Sequence, residues 1–131
     1  MSKTGIELIA EERAKQISDD GYSPAHDDRH NDGEIAVAGG TYALPQSHRI
    51  MGKRTITIPT ARGLAEPDGW KEVSVSVPCD WPWEPQSWKP TPNDRVRELV
   101  KAGALIAAEI DRLQRSAVIK PHPSRGKEPL P

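Results

Sequence analysis

Three stretches of the chain repeat apolar side chains at intervals of three and four residues, which is the spacing of one face of an α-helix. The first stretch covers residues 5–19, the second about 31–44 and the third about 91–115. The third is the longest, and a threonine, a proline and an acidic residue at its start favour helix initiation there. Its apolar stripe consists of Val96, Leu99, Gly103, Ile106, Ile110 and Leu113. The pattern therefore predicts three helices.

Glycines and capping residues mark the borders and the close contacts of these predicted helices. Gly21 follows the first helix and suits the left-handed conformation that commonly ends one. Asn31 or Asp32 can cap the second helix, and Glu34 would complete a capping box with the former. The glycine pair at 39–40 weakens that helix by about 1 kcal/mol per residue, so we expect another helix to approach closely there.

Two segments between the second and third predicted helices alternate apolar and polar side chains with a period of two. Residues 54–58 and 72–77 are therefore predicted to form half-buried strands. The connection between them is long for a hairpin but rich in turn residues. Because a lone two-stranded ribbon is marginally stable in water, we expect its apolar side to pack on the helices or on another subunit.

Prolines divide the second half of the chain into extended segments. Residues 80–90, the Trp loop, combine three prolines with three tryptophans and are predicted to form a rigid loop that presents indoles. Residues 116–131 are rich in proline and basic side chains and are predicted to form a tail. The sequence thus predicts a mainly α (α+β) fold. It consists of a single helical domain over 1–115 with three helices, a two-stranded β ribbon inserted at about 46–79, and the Trp- and Pro-rich loop.

Composition and charge exclude several classes of protein for this chain of 131 residues. A formal net charge of −1 is not that of a general nucleic-acid binder, which is normally basic. Cys79 is the single cysteine, so we expect neither a disulfide framework nor a cysteine-rich zinc site, and we expect a reducing cytoplasm. No apolar run is long enough to cross a membrane, and the N-terminus has no signal-peptide pattern.

Aromatic side chains are few and concentrated: four tryptophans, two tyrosines and no phenylalanine. Trp81, Trp83 and Trp88 fall within eight residues of the Trp loop. Indoles can form a platform on which nucleobases stack, a contact worth about 1–3 kcal/mol per base. Alternatively, the loop folds back and the indoles fill a core that lacks phenylalanine, with their N–H groups bonded to loop carbonyls. The sequence leaves both interpretations open, and each can hold for a different tryptophan.

The stretch 26–34, the acid–imidazole corner, is denser in potential ligand groups than any other part of the chain. Its candidate binding residues are His26, Asp27, Asp28, His30 and Glu34. On a helical turn the histidines lie four positions apart on one face, where His26, His30 and Asp27 could hold a divalent metal ion that activates water. Direct recognition of a ligand is a second interpretation. A third is a structural network of caps and salt bridges with Arg13 and Lys101.

Basic side chains gather around the start of the third helix, at Lys89, Arg95, Arg97 and Lys101. Together with the partial positive charge of the helix N-terminus they could hold phosphate groups, or they could form a solvated face. The sequence lacks the signatures of Ser/His/Asp catalysis, of a glycine-rich phosphate loop and of a DNA-reading helix–turn–helix. It also lacks the carboxylate spacing with which all-helical nucleotide pyrophosphohydrolases hold magnesium, which disfavours an enzyme.

A set of motifs spread over about residues 5–115 resembles a family of small bacteriophage and prophage proteins, apart from the inserted ribbon. The motifs are IAxER at 9–13, Gly21-Tyr22, HDDxH at 26–30, Gly33-Glu34, Tyr42-Ala43, WPW at 81–83, WKP at 88–90 and LVKAGALI at 99–106. The resemblance implies a viral accessory protein made in the host bacterial cytoplasm. Phage proteins of this size include sponges that sequester the cyclic nucleotide signals of host defence systems, which indicates such a role by analogy of context.

We therefore expect a phage accessory protein that binds and sequesters a small nucleotide-type host immune signal without chemistry. Its pocket would combine the acid–imidazole corner, the indoles of the Trp loop and the cations Lys89, Arg95 and Lys101. The alternatives are a metal-dependent nucleotide phosphohydrolase that uses the corner, and an inhibitor that binds a host protein through the Trp loop. We also expect a homo-oligomer, no membrane partner, and no cofactor other than the divalent metal discussed above.

Overall fold

Four α-helices and one two-stranded antiparallel sheet make up the part of the chain described by the computed structural model, residues 2–61 and 67–119. The elements in chain order are α1 (Gly5–Ser18), α2 (Pro24–Asp28), α3 (Glu34–Ala43), β1 (Met51–Ala61), β2 (Pro67–Pro78) and α4 (Arg95–Ile119). Short 3-10 turns, Gln46–His48 and Pro85–Ser87, flank the sheet in the chain. The predicted mainly helical α+β fold with an inserted ribbon is confirmed. No helix within the two described ranges is long and apolar enough to cross a membrane.

Several elements are longer than the sequence pattern predicts. The helical turn considered for the acid–imidazole corner begins as the short helix α2. Ser23 caps this helix, because its hydroxyl oxygen accepts the backbone N–H of His26. The two strands pair along their whole length, starting from Met51 opposite Pro78. Helix α4 continues past residue 115, so the first residues of the predicted tail are helical. The rest of that tail, from 120 onward, and the strand connection at 62–66 lie outside the described residues.

Gly21 and Gly33 adopt positive φ angles, 75° and 84°, at two corners of the helical body. Gly21 is the predicted left-handed residue after α1, and this prediction is confirmed. The predicted capping of α3 by Asn31 or Asp32 is wrong, because the N-cap position is occupied by Gly33. The carboxylate of Glu34 instead accepts a hydrogen bond from the Asp32 N–H at 2.8 Å. The left-handed turn at the glycine leaves the preceding side chains outside the first turn of α3.

Small residues let α4 pack closely against both α3 and α1. A Cβ atom added at Gly39 would lie 3.2 Å from the carbonyl oxygen of Ala102 and 3.2 Å from Cγ1 of Ile106. A Cβ atom added at Gly103 would lie 2.5 Å from Cδ1 of Ile9. The close helix approach predicted for this part of α3 is therefore confirmed, and α1 makes a similar approach at the glycine of α4.

Five bulky apolar side chains of α4 face outward. These residues, the α4 stripe, each keep between 43% and 61% of their surface exposed. They are Val96, Leu99, Ile106, Ile110 and Leu113. The apolar residues that α4 buries are Val100, Ala102, Ala104, Leu105 and Ala108. Neighbouring helices pack where small side chains allow the closest contact, so the larger side chains are left on the outer face.

Trp81 completes the hydrophobic core from outside the helices. It is 5% exposed and packs edge-on against the ring of Tyr42, with ring centroids 5.5 Å apart. Its indole N–H donates to the Glu84 carbonyl oxygen and to the Ser87 hydroxyl oxygen, each at 3.1 Å. Trp88 stacks on Tyr42 at a centroid distance of 4.6 Å. The interpretation that the Trp loop folds back onto the core is confirmed for these two indoles.

The ribbon is anchored to the Trp loop by Arg54. The guanidinium of Arg54 donates to the Trp83 carbonyl oxygen at 2.9 Å, and the Cys79 N–H donates to the Ile50 carbonyl oxygen at 2.8 Å. Packing within the ribbon is mostly between its own two strands, and Trp70 on β2 is 69% exposed. The expected contact between the ribbon and a second copy of the chain stays a prediction.

Two arginines hydrogen-bond the carbonyl oxygens at the C-terminal end of α3. Arg49 donates to the carbonyl oxygens of Thr41 (2.9 Å) and Tyr42 (3.1 Å). Arg95 donates to the carbonyl oxygens of Tyr42 (2.8 Å) and Ala43. The last carbonyls of a helix have no partner within it, and positive charge there also complements the helix dipole. The two arginines therefore close the end of α3.

A buried carboxylate, Glu98, joins these arginines to the start of α4. It is 2% exposed, and Arg49 and Arg95 each donate to its Oε1 at 3.1 Å. Its Oε2 accepts from the Thr91 N–H at 2.9 Å. Burial raises the pKa of Glu98, but the hydrogen bonds from the two arginines and the Thr91 N–H outweigh it, so the pKa lies below its ordinary value.

Replacing Glu98 by alanine is expected to destabilise the fold by about 3–5 kcal/mol, because Arg49 would remain buried without its ionic partner. Chemical denaturation followed by far-UV circular dichroism measures the loss.

The contribution of Glu98 also depends on pH. Because its pKa is lowered on folding, the stabilisation is present above the unfolded value of 4.5 and is lost as pH falls through the lower folded pKa.

Glu72→Ala is a matched control, because Glu72 lies exposed on the ribbon. We expect it to change the free energy of unfolding by no more than about 0.5 kcal/mol. An E98A variant as stable at pH 7 as this control would contradict the structural role of the carboxylate.

Candidate functional site

A cleft of about 340 Å³ opens between α1, α3, α4 and the Trp loop, and we call it the cation cleft. Its basic side chains are Lys15, Lys89, Arg97 and Lys101. Its aromatic side chains are Tyr22, Tyr42, Trp81 and Trp83. Two acids, Glu12 and Asp20, also line it, so cations outnumber anions by two. The cleft therefore presents positive charge beside aromatic surface.

Lys101 projects from α4 against the floor of the cleft. Its Nζ donates to the Lys89 carbonyl oxygen at 2.8 Å and lies 5.4 Å from the centroid of the Tyr42 ring. Burial, and next the charge of Arg97, lower the pKa of Lys101. A second cation and a low-dielectric surrounding both disfavour the ammonium form, and a bound anion would relieve that cost. Lys101 is thus placed where negative charge is favourable.

The Tyr42 hydroxyl links the core to the cleft. Its oxygen accepts the backbone N–H of Lys89 at 3.0 Å, which holds the end of the Trp loop against α3. Burial is the main reason that the pKa of Tyr42 is raised, so the phenol stays protonated near neutral pH. The ring is consequently a fixed, uncharged wall of the cleft.

An ion pair between Glu12 and Arg97 forms one boundary of the cation cleft. Arg97 Nη1 lies 2.5 Å from Oε1 of Glu12, and the Glu12 residue is 5% exposed. Both residues, with Lys15, also line a neighbouring groove of about 310 Å³. Because the pair is charge-balanced, Lys15, Lys89 and Lys101 supply the free positive charge, offset in part by Asp20.

Two buried polar atoms at the cleft have no hydrogen-bond partner within the described residues: Oε1 of Gln16 and Nε1 of Trp83. Both side chains line the cation cleft, and Gln16 is only 3% exposed. An unpaired buried donor or acceptor costs about 1–3 kcal/mol, so such atoms are normally satisfied by water or a ligand. These two atoms therefore keep unused hydrogen-bonding capacity beside the cleft.

A second, smaller cavity of about 210 Å³ adjoins the cation cleft, and we call it the aromatic pocket. Its lining residues are Tyr22, His26, His30, Trp83, Glu84 and Ser87. Tyr22, Trp83 and Ser87 line both cavities and form the wall between them. The two histidines of the acid–imidazole corner therefore lie next to the cleft without lining it.

Hydrogen bonds hold the imidazoles of the corner in place. His26 Nδ1 lies 3.1 Å from a carboxylate oxygen of Asp27, and His30 Nδ1 lies 3.2 Å from Oε2 of Glu34. Burial raises the pKa of Glu34, but the Asp32 N–H and the His30 ring are among the hydrogen bonds that outweigh it, so that pKa is lowered. Each histidine thus has a carboxylate that orients its ring.

The acids of the corner serve mainly as structural partners. Asp27 is 2% exposed, and Arg13 Nη2 on α1 donates to it at 3.0 Å. Asp28 is exposed and pairs with Arg115 of α4 at 2.8 Å. The interpretation of the corner as a salt-bridge network is confirmed for Arg13, but Lys101 takes no part in it and donates to a loop carbonyl instead.

The structure brings only part of the predicted site together. Four predicted residues line the cation cleft: Trp81, Trp83, Lys89 and Lys101. Five line neither the cleft nor the aromatic pocket: Asp27, Asp28, Glu34, Trp88 and Arg95. Among the residues that the structure describes, no three His, Cys, Asp or Glu side chains are grouped so that they could hold a metal ion. The metal set of His26, His30 and Asp27 is accordingly not assembled as a ligand cluster.

Sequence reasoning missed the contribution of α1 to the site. Glu12, Lys15 and Gln16 have the spacing of one helix face, and all three line the cleft. That spacing is visible in the sequence, but nothing in it shows that this polar face turns toward α4. Tyr22 and Tyr42 each belong to a two-residue motif of the resemblance, but the sequence predicted no role for them.

A scan against models of known protein families, a search of curated proteins and a search of solved structures each find no match to this chain. Its function is therefore inferred from the side chains of the cleft and the pocket beside it.

Replacing Asp27 by alanine is expected to destabilise the fold by about 3–5 kcal/mol, because it leaves the largely buried Arg13 guanidinium with only a longer ionic contact, of 3.9 Å to Asp111, among the described residues. Asp28→Ala is the matched control on the next residue, where an exposed pair with Arg115 is worth at most about 1 kcal/mol. Thermal unfolding and urea denaturation of both variants measure the difference. Equal losses for the two variants would contradict the assignment of Asp27 as the structural acid.

Proposed function

We propose that this protein binds a small phosphorylated ligand of nucleotide type and releases it unchanged. The observation that carries the proposal is the cation cleft, where Lys15, Lys89 and Lys101 stand beside aromatic rings from three separate parts of the chain. Positive side chains favour phosphate, and aromatic faces favour the rings of a nucleotide. The cleft is small, near the lower end of the 300–1,000 Å³ range of small-molecule sites, which favours a low-molecular-weight ligand over a polymer.

Local charge and overall charge differ in a way that supports this ligand class. The chain has a formal net charge of −1, so a nucleic-acid polymer meets no general positive field. The lining of the cation cleft, by contrast, carries two more cations than anions. A compact anion can reach that positive charge without contacting the rest of the surface.

The two alternative functions have less support from the geometry. A metal-dependent phosphohydrolase needs carboxylates free to hold an ion, whereas Asp27 and Asp28 are each paired with an arginine. An inhibitor that docks through the Trp loop needs exposed indoles, whereas Trp81 is buried and Trp88 is stacked on Tyr42. Capture of a small ligand requires neither of these features.

The resemblance to small phage proteins supplies the biological context of the proposal. A non-catalytic binder of a nucleotide-type signal would lower the free concentration of that signal in the host bacterial cytoplasm and so blunt a defence response. This role needs high affinity and high copy number rather than turnover.

We further propose that the protein self-associates through the α4 stripe, with a second copy of the chain as the partner. Five large apolar side chains along one helix each keep 43–61% of their surface exposed, and exposed apolar surface of this kind marks interaction sites. A stripe on a single helix can pack against its own two-fold copy, since each residue then meets an equivalent apolar residue.

Removing positive charge from the cleft is expected to weaken nucleotide binding. Lys15→Gln and Lys89→Gln should each raise the Kd about tenfold, because each removes one charge-assisted contact to phosphate. Lys53→Gln, on the exposed ribbon, makes the same change in net charge and should leave the Kd unchanged. Isothermal titration calorimetry with AMP, ADP, ATP and cyclic mononucleotides provides the values.

The same nucleotides, released by heat after incubation with and without Mg²⁺ or Mn²⁺, are expected to be recovered intact. Products that form only with metal would replace the binding proposal with the phosphohydrolase. Failure of the wild type to bind any of these nucleotides would contradict the proposal. Unchanged Kd values in both Lys15→Gln and Lys89→Gln would remove the cation cleft as the site.

A charged residue in the α4 stripe is expected to break self-association. Ile110→Glu places a carboxylate in the middle of the stripe, while Ile50→Glu places one on an exposed residue before the ribbon as a control. Light scattering coupled to size-exclusion chromatography should show the wild type and Ile50→Glu as multimers and Ile110→Glu as a monomer. A monomeric wild type at 100 μM or more would contradict self-association.

A further inference from the structure

We propose that the aromatic pocket is the nucleobase subsite of the ligand whose phosphate lies in the cation cleft. This inference rests on the proposed function and divides the recognition of one ligand between the two cavities. The phosphate would contact the lysines of the cleft, and the base would lie against the rings that line the aromatic pocket.

Four rings follow one another along the aromatic pocket. Tyr22 stacks on His26 with centroids 4.9 Å apart and planes 12° from parallel. His26 lies 4.8 Å from His30, and His30 lies 5.4 Å from Trp83, with interplanar angles of 59° and 57°. The later two ring pairs are tilted rather than stacked, and all four rings line the same cavity. A planar heterocycle gains most from such walls because it can stack on them and exclude water.

The wall shared by the two cavities shows how one molecule reaches both. Tyr22, Trp83 and Ser87 line the cation cleft on one side and the aromatic pocket on the other. Phosphate and base are the two ends of a nucleotide, joined by a ribose. The adjacency of a cationic cavity and an aromatic cavity therefore matches the order of chemical groups in a nucleotide.

The polar atoms of the pocket fit a base better than a purely apolar group. Trp83 Nε1 is buried without an acceptor among the described residues, and every nucleobase carries ring nitrogens or carbonyl oxygens that accept. The Nδ1 atoms of His26 and His30 face carboxylates. Their Nε2 atoms remain for a ligand, since the described part of the chain provides them with no hydrogen bond. In a neutral imidazole of this orientation Nε2 is an acceptor.

A cationic headgroup is the competing occupant, because aromatic walls also bind quaternary ammonium groups. Glu84 at the edge of the pocket would favour it. The unpaired indole N–H favours an acceptor-bearing ring instead, since an ammonium group offers no acceptor to it. The two occupants are separated by probes that share a phosphate and differ only in the other end.

The test compares AMP, ribose 5-phosphate and phosphocholine by isothermal titration calorimetry. The wild type should bind AMP about 5- to 150-fold more tightly than ribose 5-phosphate, the range that one stacked base contributes. Trp83→Leu should reduce that ratio to about one, and the ratio is the readout because Trp83 lines the cation cleft as well as the aromatic pocket. Trp70→Leu, which removes an exposed indole on the ribbon, should preserve the ratio.

Trp83→Phe keeps an aromatic face without the N–H, and it also serves if the leucine variant unfolds, as judged by circular dichroism. It should retain part of the preference for AMP. Equal Kd values of AMP and ribose 5-phosphate for the wild type would overturn the base subsite and leave phosphate capture in the cleft standing. Tighter binding of phosphocholine than of AMP would overturn it in favour of a cationic group. Failure of all three probes would defeat the proposed function itself.

Discussion

The buried carboxylate of Glu98 is the interaction on which the arrangement of this protein depends. It binds two arginines that also hydrogen-bond the last carbonyls of α3, and it binds the backbone just before α4. One ionised group thereby joins the end of one helix to the beginning of another. Burying it is costly, and the protein offsets that cost with three donors, which also explains the lowered pKa of Glu98. Because Lys101 lies one turn further along α4, this junction also sets the position of its ammonium group in the cleft.

The second constraint is the close contact of helices at small residues. Gly39 and Gly103 lie where a Cβ atom would meet a backbone oxygen or an isoleucine of the neighbouring helix. That contact buries the alanines of α4 together with Val100 and Leu105, and it leaves five larger side chains exposed as the α4 stripe. It leaves a core with little bulk, and Trp81 supplies the missing volume from the loop. The same inward fold of the Trp loop brings Trp83 and Lys89 to the cleft. One loop conformation therefore both fills the core and positions residues of the site.

The dense polar stretch at 26–34 illustrates how a motif can support a site without being its centre. Asp27 and Arg13 tie α2 to α1, while Asp28 and Arg115 tie it to α4. Only the imidazoles face a cavity, and carboxylates set their orientation. The spacing of the two histidines correctly predicted that they are neighbours, since residues four apart on a helical turn share a face. It could not predict that their Nδ1 atoms would be occupied by acids rather than by a metal.

Local rules alone determined the elements of this protein. Apolar spacing, proline positions and a glycine after α1 were enough to predict α1, α3, α4, the ribbon and the irregular Trp loop, because each depends on residues close in the chain. The tertiary structure decided which face of each element is buried, and hence where the site lies. Glu12 and Lys15 belong to the cleft because α1 packs on a helix some 85 residues away in the chain, at Arg97. The spacing of the α4 stripe is that of a core face, yet its side chains stay partly exposed. The close contacts of α4 with its neighbouring helices are made at alanines and glycine instead, because helices approach most closely where side chains are smallest.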